Sequence, residues 1–230
     1  MSPLVRRRVV PLVMATTAAL GVAGCGQPRS QPAASSSPTS APLDGVALAG
    51  QSSVLSGPDH PGPTAVVDGV PMGYRQDRAG AIAAAVNFAR LNEALVAMSE
   101  EQAAAARRAM AAENASEVLV EDILAQLGEF RGAWPNGELS YRVAPLAVRA
   151  QEAGPEVMRV DVWFVGVVAG RDLPTYEEWI TESYRLVWER GDWRVAALSE
   201  VSGPRPDPGY QDPASPAEVS ALLAGFEAVP

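Results

Sequence analysis

Apolar residues recur with helical spacing through the first half of the chain's long central region. The spacing, with Asp77 and the capping-box pair Ser99 and Gln102 as start signals, predicts helices over residues 77–96 and 99–113. A third helix follows, ending near Gly132. Its apolar residues stand at i, i+3, i+4, i+7 and i+10: Val120, Ile123, Leu124, Leu127 and Phe130. This stripe is typical of a helix that lies on a flat surface.

Strand patterns fill the second half. The predicted strands are Leu139–Gln151, Glu156–Val168, Trp179–Arg190 and Trp193–Val201. In the third, Ile180 and Tyr184 alternate with Thr181 and Ser183, as in a half-buried antiparallel strand. Gly191 can supply the positive φ of a tight hairpin between the last two strands. We therefore expect an α+β fold, with three N-terminal helices packed on a curved four-stranded antiparallel sheet.

The N-terminus has the pattern of an export signal. Arg6, Arg7 and Arg8 precede an apolar stretch, 9–22, that contains Pro11 and is short for a membrane span. The following Val-Ala-Gly-Cys segment resembles a bacterial lipobox, which implies cleavage before Cys25 and lipid on its sulfur. An ordinary cleaved signal with an unrelated cysteine is the alternative. The paired arginines leave both the general and the twin-arginine export routes open.

Composition divides the chain into four parts. Residues 1–24 are the predicted signal, and residues 25–64 form a Ser/Pro-rich tether predicted to be disordered beyond its lipidated first residue. Residues 65–205 form the folded domain. Residues 206–230 are a proline-rich tail with a short capped helix from Ser215 to about Phe226. We expect lipid anchoring to the outer face of the cell membrane.

Charge argues against a nucleic-acid partner. The net charge is −9, and loss of the signal, which holds three arginines and no acid, takes it to −12. An acidic chain repels phosphate backbones, and arginine is not concentrated on one segment of the predicted domain.

The residues available for chemistry are few. His60 is the single histidine and Cys25 the single cysteine, and both lie outside the predicted domain. A Ser-His-Asp triad, a Cys-His pair and a histidine metal site are therefore not expected there. We predict no metal and no cofactor.

Glu182 and Asp161 are the weak candidates for catalysis. Glu182 shares a strand face with Ile180 and Tyr184, where burial would raise its pKa into the range of a general base. The alternative, which we expect, is that a bulge or edge turns Glu182 to solvent. Asp161 is expected to face outward, paired with Arg159 or Arg185.

Three tryptophans are candidates for partner binding. Strict alternation places Trp163, Trp179 and Trp193 on the face opposite the main apolar set, where an exposed row could bind a peptide, a glycan or a protein. The alternative is that helices or the tail cover this face.

The layout resembles the NTF2-like cone fold. It is similar to extracytoplasmic domains of Mce-associated proteins and of conjugation and type IV secretion proteins. The segments 69–74, 160–167 and 186–195 resemble a family of uncharacterised actinobacterial membrane-attached proteins of integrative and conjugative elements. The resemblance implies no catalytic residues.

Two classes of function follow. The first is a noncatalytic protein-binding or scaffold domain of an envelope membrane-protein complex, in conjugation or secretion. The second is a carrier of a small hydrophobic ligand, or an isomerase or dehydratase acting on one in the cavity of the cone.

Overall fold

A computed structural model describes residues 60–133, 139–170, 173–205 and 215–230. The predicted signal, Cys25 and nearly all of the tether lie outside these residues, as do residues 206–214 of the tail. The lipid anchor and the tether therefore stay predictions.

A small hairpin precedes the helices. Its strands are β1 (Ala65–Val67) and β2 (Val70–Met72), which pair antiparallel. Asp68 and Gly69 at the turn both have positive φ, at 50° and 81°, as an Asp-Gly hairpin turn requires.

Three helices then follow, and the start signals predicted for the first two are confirmed. They are α1 (Arg78–Leu95), α2 (Glu100–Met110) and α3 (Ser116–Ala133). Asp77 caps α1 by accepting from the backbone N–H of Gly80 at 2.7 Å, and Ser99 and Gln102 form the capping box of α2. None of the described helices is both long enough and apolar enough to cross a membrane.

The buried side of α3 is rotated from the predicted stripe. Leu119, Ile123 and Leu127 are buried, whereas Val120 and Leu124 are only half-buried. Part of α3 packs against α2, so the helix does not simply lie flat on the sheet.

The main sheet has five antiparallel strands. They are β3 (Leu139–Gly154), β4 (Val157–Gly170), β5 (Leu173–Glu189), β6 (Asp192–Ser202) and β7 (Glu227–Ala228), in the spatial order β6-β5-β4-β3-β7. The predicted hairpin between β5 and β6 is confirmed, with positive φ at Arg190 and Gly191. The tail also forms α4 (Pro216–Leu222), capped by Ser215.

The predicted fold class, three N-terminal helices on a four-stranded sheet, is therefore wrong. A hairpin comes before the helices, and β7 adds a fifth strand to the sheet. The capped tail helix that was predicted does form, as α4, but it ends at Leu222 and not near Phe226. The strand β7 is only two residues long, so it shows no alternation that a sequence pattern could reveal. It forms because Glu227 and Ala228 pair with the edge of β3.

One face of the sheet packs on α1 around a small aromatic group. Phe88 of α1 lies edge-on to Tyr74, with ring centroids 6.1 Å apart, and 6.4 Å from the ring of Tyr184 on β5. Alanines on the buried side of α1 allow close approach to β3 and β4. This packing sets the distance between α1 and the inner face of β5.

Gly166 shows how tightly this inner face is filled. A Cβ at Gly166 would lie 2.8 Å from the ring of Tyr141 and 3.0 Å from Cγ of Glu178. The Tyr141 hydroxyl donates to Glu178 at 2.7 Å, across the space that Gly166 leaves open.

We expect Gly166→Ala to lower the free energy of unfolding by about 1–3 kcal/mol, because a methyl group has no room there. Gly128→Ala on α3 is the control, since a Cβ at Gly128 meets nothing within 4 Å. Alanine should stabilise the helix by about 0.5–1 kcal/mol. Urea unfolding of both variants measures the difference, and equal effects would contradict the packing described.

Candidate functional site

Glu182 is buried on the inner face of β5, with 4 % of its surface exposed. The expectation that it turns to solvent is wrong. It lies between Ile180 and Tyr184 on the face that packs against the helices, so the alternation that made it a candidate describes its position correctly.

Asn92 and Arg107 tie Glu182 to the helices, Tyr184 contacts it on the same strand, and together these four residues form the Glu182 cluster. Asn92 of α1 donates its amide N–H to Oε1 of Glu182 at 2.8 Å, and the Tyr184 hydroxyl donates to Oε2. The amide oxygen of Asn92 accepts from the guanidinium of Arg107 on α2 at 3.2 Å. Asn92 therefore bridges a buried cation and a buried carboxylate.

Burial raises the pKa of Glu182 to about 7, against the opposing effects of Tyr184, Arg107 and Asn92. The pKa of Tyr184 lies well above its ordinary value for the same cause, so its phenol stays protonated and acts as a donor. Glu182 is thus a group that can change charge close to neutral pH.

Arg107 is buried, with 3 % of its surface exposed, and its guanidinium has few hydrogen-bond acceptors. Besides Asn92, its guanidinium donates to the sulfur of Met110 at 3.5 Å, and its Nε has no hydrogen-bond partner. Among the described residues it forms no ion pair. A buried donor without an acceptor costs about 1–3 kcal/mol, so this arrangement lowers the free energy of unfolding.

The Glu182 cluster opens into a pocket of about 90 Å³ between α2, α3 and the strands β5 and β6. Its polar lining consists of Arg107, Asp122, Gln126, Glu182, Ser199 and Glu200. A water molecule takes up about 30 Å³ of liquid volume, so the pocket has room for about three waters or a group of similar size. Pockets for drug-sized ligands are about 300–1,000 Å³, well above this volume.

Two carboxylates of the pocket face each other across neighbouring strands. Glu182 on β5 is directly opposite Glu200 on β6 in the antiparallel register. Like charges in such a pair repel. Desolvation and the negative charge of Glu178 raise the pKa of Glu200 as well, although this side chain is exposed at the rim.

The comparison with protein families gives one match. The family described as "Domain of unknown function (DUF8175)" matches residues 14–215, which is most of the chain. The chain belongs to this family. No curated protein and no solved structure matches.

The candidate row of exposed tryptophans does not form among the described residues, because Trp163 and Trp193 are buried. Trp163 does lie on the outer face of the sheet. Trp179 stacks on Trp163 at 5.2 Å between ring centroids, and the indole N–H of Trp163 donates to the carbonyl of Pro204 at 3.0 Å. Trp179, half-buried, keeps part of its surface exposed. Trp163 is therefore covered, but by Trp179 and Pro204, which belong neither to the helices nor to the tail named in the alternative.

Trp193 lies on the inner face because β6 contains a bulge. Arg185 pairs with Ala197 while Leu186 pairs with Val195, so the intervening residue, Ala196, reverses the alternation along β6. Trp193 accordingly belongs to the core, packed edge-on against Trp188. Strict alternation could not place it.

Asp161 lies on the outer face, as expected, but it is buried by its partners. Arg149 donates two hydrogen bonds to Oδ2, at 3.0 and 2.7 Å, and Arg159 and Ser183 donate to Oδ1. Burial alone would raise the pKa of Asp161, but the hydrogen bonds from Ser183, Arg149 and Arg159 outweigh it and lower the pKa. This ionised, fully engaged carboxylate is unsuited to act as a base. Of the two partners predicted for Asp161, Arg159 forms the ion pair and Arg185 does not.

Within the described ranges, no group of three or more His, Cys, Asp or Glu residues could hold a metal ion. His60 forms a hydrogen bond with its own neighbourhood in the chain, because its Nδ1 accepts from the backbone N–H of Gly62 at 3.2 Å.

Sequence reasoning missed Asn92, Arg107 and Glu200. For Arg107 a signal was present, because it follows Ala103 and precedes Met110 at helical spacing on the buried side of α2. A charged residue on an apolar helix face is a candidate for a buried polar site.

The raised pKa of Glu182 predicts that the stability of the folded domain depends on pH. The unfolded carboxyl titrates near 4.5 and the folded one near 7, so the folded state retains a proton that the unfolded state has lost between these values. The free energy of unfolding should therefore fall as pH rises from 4.5 to 7. The buried carboxylate should cost about 3 kcal/mol above pH 7.

Glu182→Gln should remove this part of the pH profile, because glutamine keeps the size without the charge. Urea unfolding between pH 5 and 8 measures it, and Glu152→Gln, at an exposed position of β3, is the control that should follow the wild type. An identical pH slope in wild type and Glu182→Gln would contradict a raised pKa at Glu182.

Proposed function

We propose that this protein is a lipid-anchored, extracytoplasmic domain that binds a protein partner without catalysing a reaction, as part of an envelope membrane-protein complex. Its anchor would be the lipid on Cys25, and the predicted tether of residues 25–64 would let the domain reach its partner. The sequence resemblance favours a conjugation or secretion complex.

The observation that carries this proposal is the small, charged pocket beside Glu182. Its volume of about 90 Å³ suits one side chain or chain end of a partner, but it is too small for a substrate of the steroid class. Binding sites retain buried polar groups that cost stability, and the unmatched Nε of Arg107 is such a group. The size and the polar lining also count against the alternative of a small hydrophobic ligand.

One observation favours an enzyme as the second candidate. A carboxyl with a pKa of about 7 facing a pocket has the proton affinity of a general acid or base at neutral pH. Against this role, Glu182 is only 4 % exposed, and the pocket of about 90 Å³ beside it is far smaller than a typical site for a drug-sized substrate. An isomerase or dehydratase activity that is lost in Glu182→Gln would support the enzyme over the binding domain.

Replacing Cys25 tests the anchor. In Cys25→Ser the lipid-accepting thiol is absent, so we expect the protein to lose its acyl mass and to leave the lipid-anchored membrane fraction. Mass spectrometry of the purified chain and detergent partitioning of cell fractions measure both effects. A wild-type chain that carries no lipid on Cys25 would contradict the anchor.

Crosslinking in living cells tests the partner. Affinity purification of the wild type should recover one stoichiometric membrane-protein complex, and Gln126→Arg should reduce recovery at least about tenfold, since loss of about 1.4 kcal/mol is tenfold in affinity. Gln126 is an exposed residue of the pocket lining, so the variant obstructs the pocket without disturbing the core.

Ala125→Arg is the matched control, with the same charge change at the neighbouring exposed position of α3. It should capture the complex as the wild type does. Recovery of no protein partner would overturn the binding proposal. Equal capture by wild type and Gln126→Arg would show that the partner does not bind at the pocket.

A further inference from the structure

The pocket is unusual because its charges are unbalanced in two ways. Its lining includes two carboxylates, Glu182 and Glu200, on neighbouring strands beside the guanidinium of Arg107. The directly opposed pair Glu182 and Glu200 adds repulsion between neighbouring strands. A positive charge placed between these two carboxylates would relieve it.

Arg107 adds a second and independent requirement. Its guanidinium lines the pocket, and among the described residues its acceptors are one oxygen, the amide of Asn92, and the weakly accepting sulfur of Met110; a simple cation supplies no further acceptor. An occupant that satisfies the whole lining must therefore carry both a positive charge for the carboxylates and an oxygen for Arg107.

Three simpler occupants each leave part of the lining unmatched. A carboxylate could pair with Arg107 but would be repelled by Glu182 and Glu200. A lysine side chain would bring the charge without an acceptor. A metal ion is not favoured, because no set of ligands for one exists among the described residues.

We infer that the pocket captures the free N-terminal residue of a partner polypeptide, with the α-ammonium between Glu182 and Glu200 and the first peptide carbonyl accepting from Arg107. An N-terminal residue carries both groups within a few bonds, and its backbone atoms suit a volume of about 90 Å³. This inference rests on the proposed protein-binding function and names the part of the partner that is recognised.

Glycinamide is the smallest probe of this chemistry, because it has an ammonium group and an adjacent carbonyl. The full chain carrying Cys25→Ala, isotopically labelled and purified in detergent, would be titrated with glycinamide at pH 7. We expect saturable NMR shifts at the side-chain amide of Asn92, which bridges Arg107 and Glu182.

Two further probes separate the sources of the signal. n-Propylammonium, which mimics a lysine side chain, should bind at least about tenfold more weakly, since it lacks the carbonyl and the loss of about 1.4 kcal/mol is tenfold. N-acetylglycinamide should give no saturable shift because it lacks the charge. Equal binding of glycinamide and n-propylammonium would overturn recognition of an N-terminus in favour of a lysine.

A variant at the rim keeps the test independent of folding. Glu200→Gln removes one carboxylate of the opposed pair from an exposed position and should weaken glycinamide binding at least about tenfold, again about 1.4 kcal/mol. Glu152→Gln, on the exposed part of β3, should bind as the wild type does. No saturable shift with glycinamide, or no effect of Glu200→Gln, would overturn the inference.

Failure of N-terminal recognition and failure of the proposed protein binding give different experimental results. If crosslinking still captures a complex that Gln126→Arg reduces, while glycinamide does not bind, the pocket receives another group of the partner. If crosslinking recovers no protein, the proposed function falls whatever glycinamide does.

Discussion

The side-chain amide of Asn92 holds together the two buried charges on which the site depends. It donates to Glu182 on β5 and accepts from Arg107 on α2, while its own backbone belongs to α1. Burying a cation and a carboxylate is costly, and a single amide between them satisfies only part of their hydrogen-bonding capacity. The pocket owes its chemical character to the guanidinium of Arg107, which Asn92 and Met110 satisfy only in part, and to the raised pKa of Glu182.

Local signals predicted the helices and the β5-β6 hairpin well. Asp77 and the Ser99 capping box give the starts of α1 and α2, and the turn at Gly191 forms as its positive φ requires. These features depend on neighbouring residues alone, so the sequence contains them in full. The strand β7 depends instead on the edge of β3, which is distant in sequence.

The site was only partly predictable for the same reason. Alternation correctly placed Glu182 on the inner face of β5, but its burial depends on Asn92 and Arg107, which come from other elements. The bulge at Ala196 moved Trp193 from the predicted outer face into the core. Trp163 was placed on the correct face, yet Trp179 and Pro204 cover it.

The most direct test of the central claim, that a protein partner enters this pocket, is site-specific photo-crosslinking in living cells. A photoreactive residue at Gln126 reports on the mouth of the pocket, and one at Arg185 reports on the exposed outer face of β5. We expect the position of Gln126 to crosslink to a partner polypeptide at its N-terminal residue and the position of Arg185 to give no such crosslink. Crosslinks from Arg185 alone, or from neither position, would contradict the central claim.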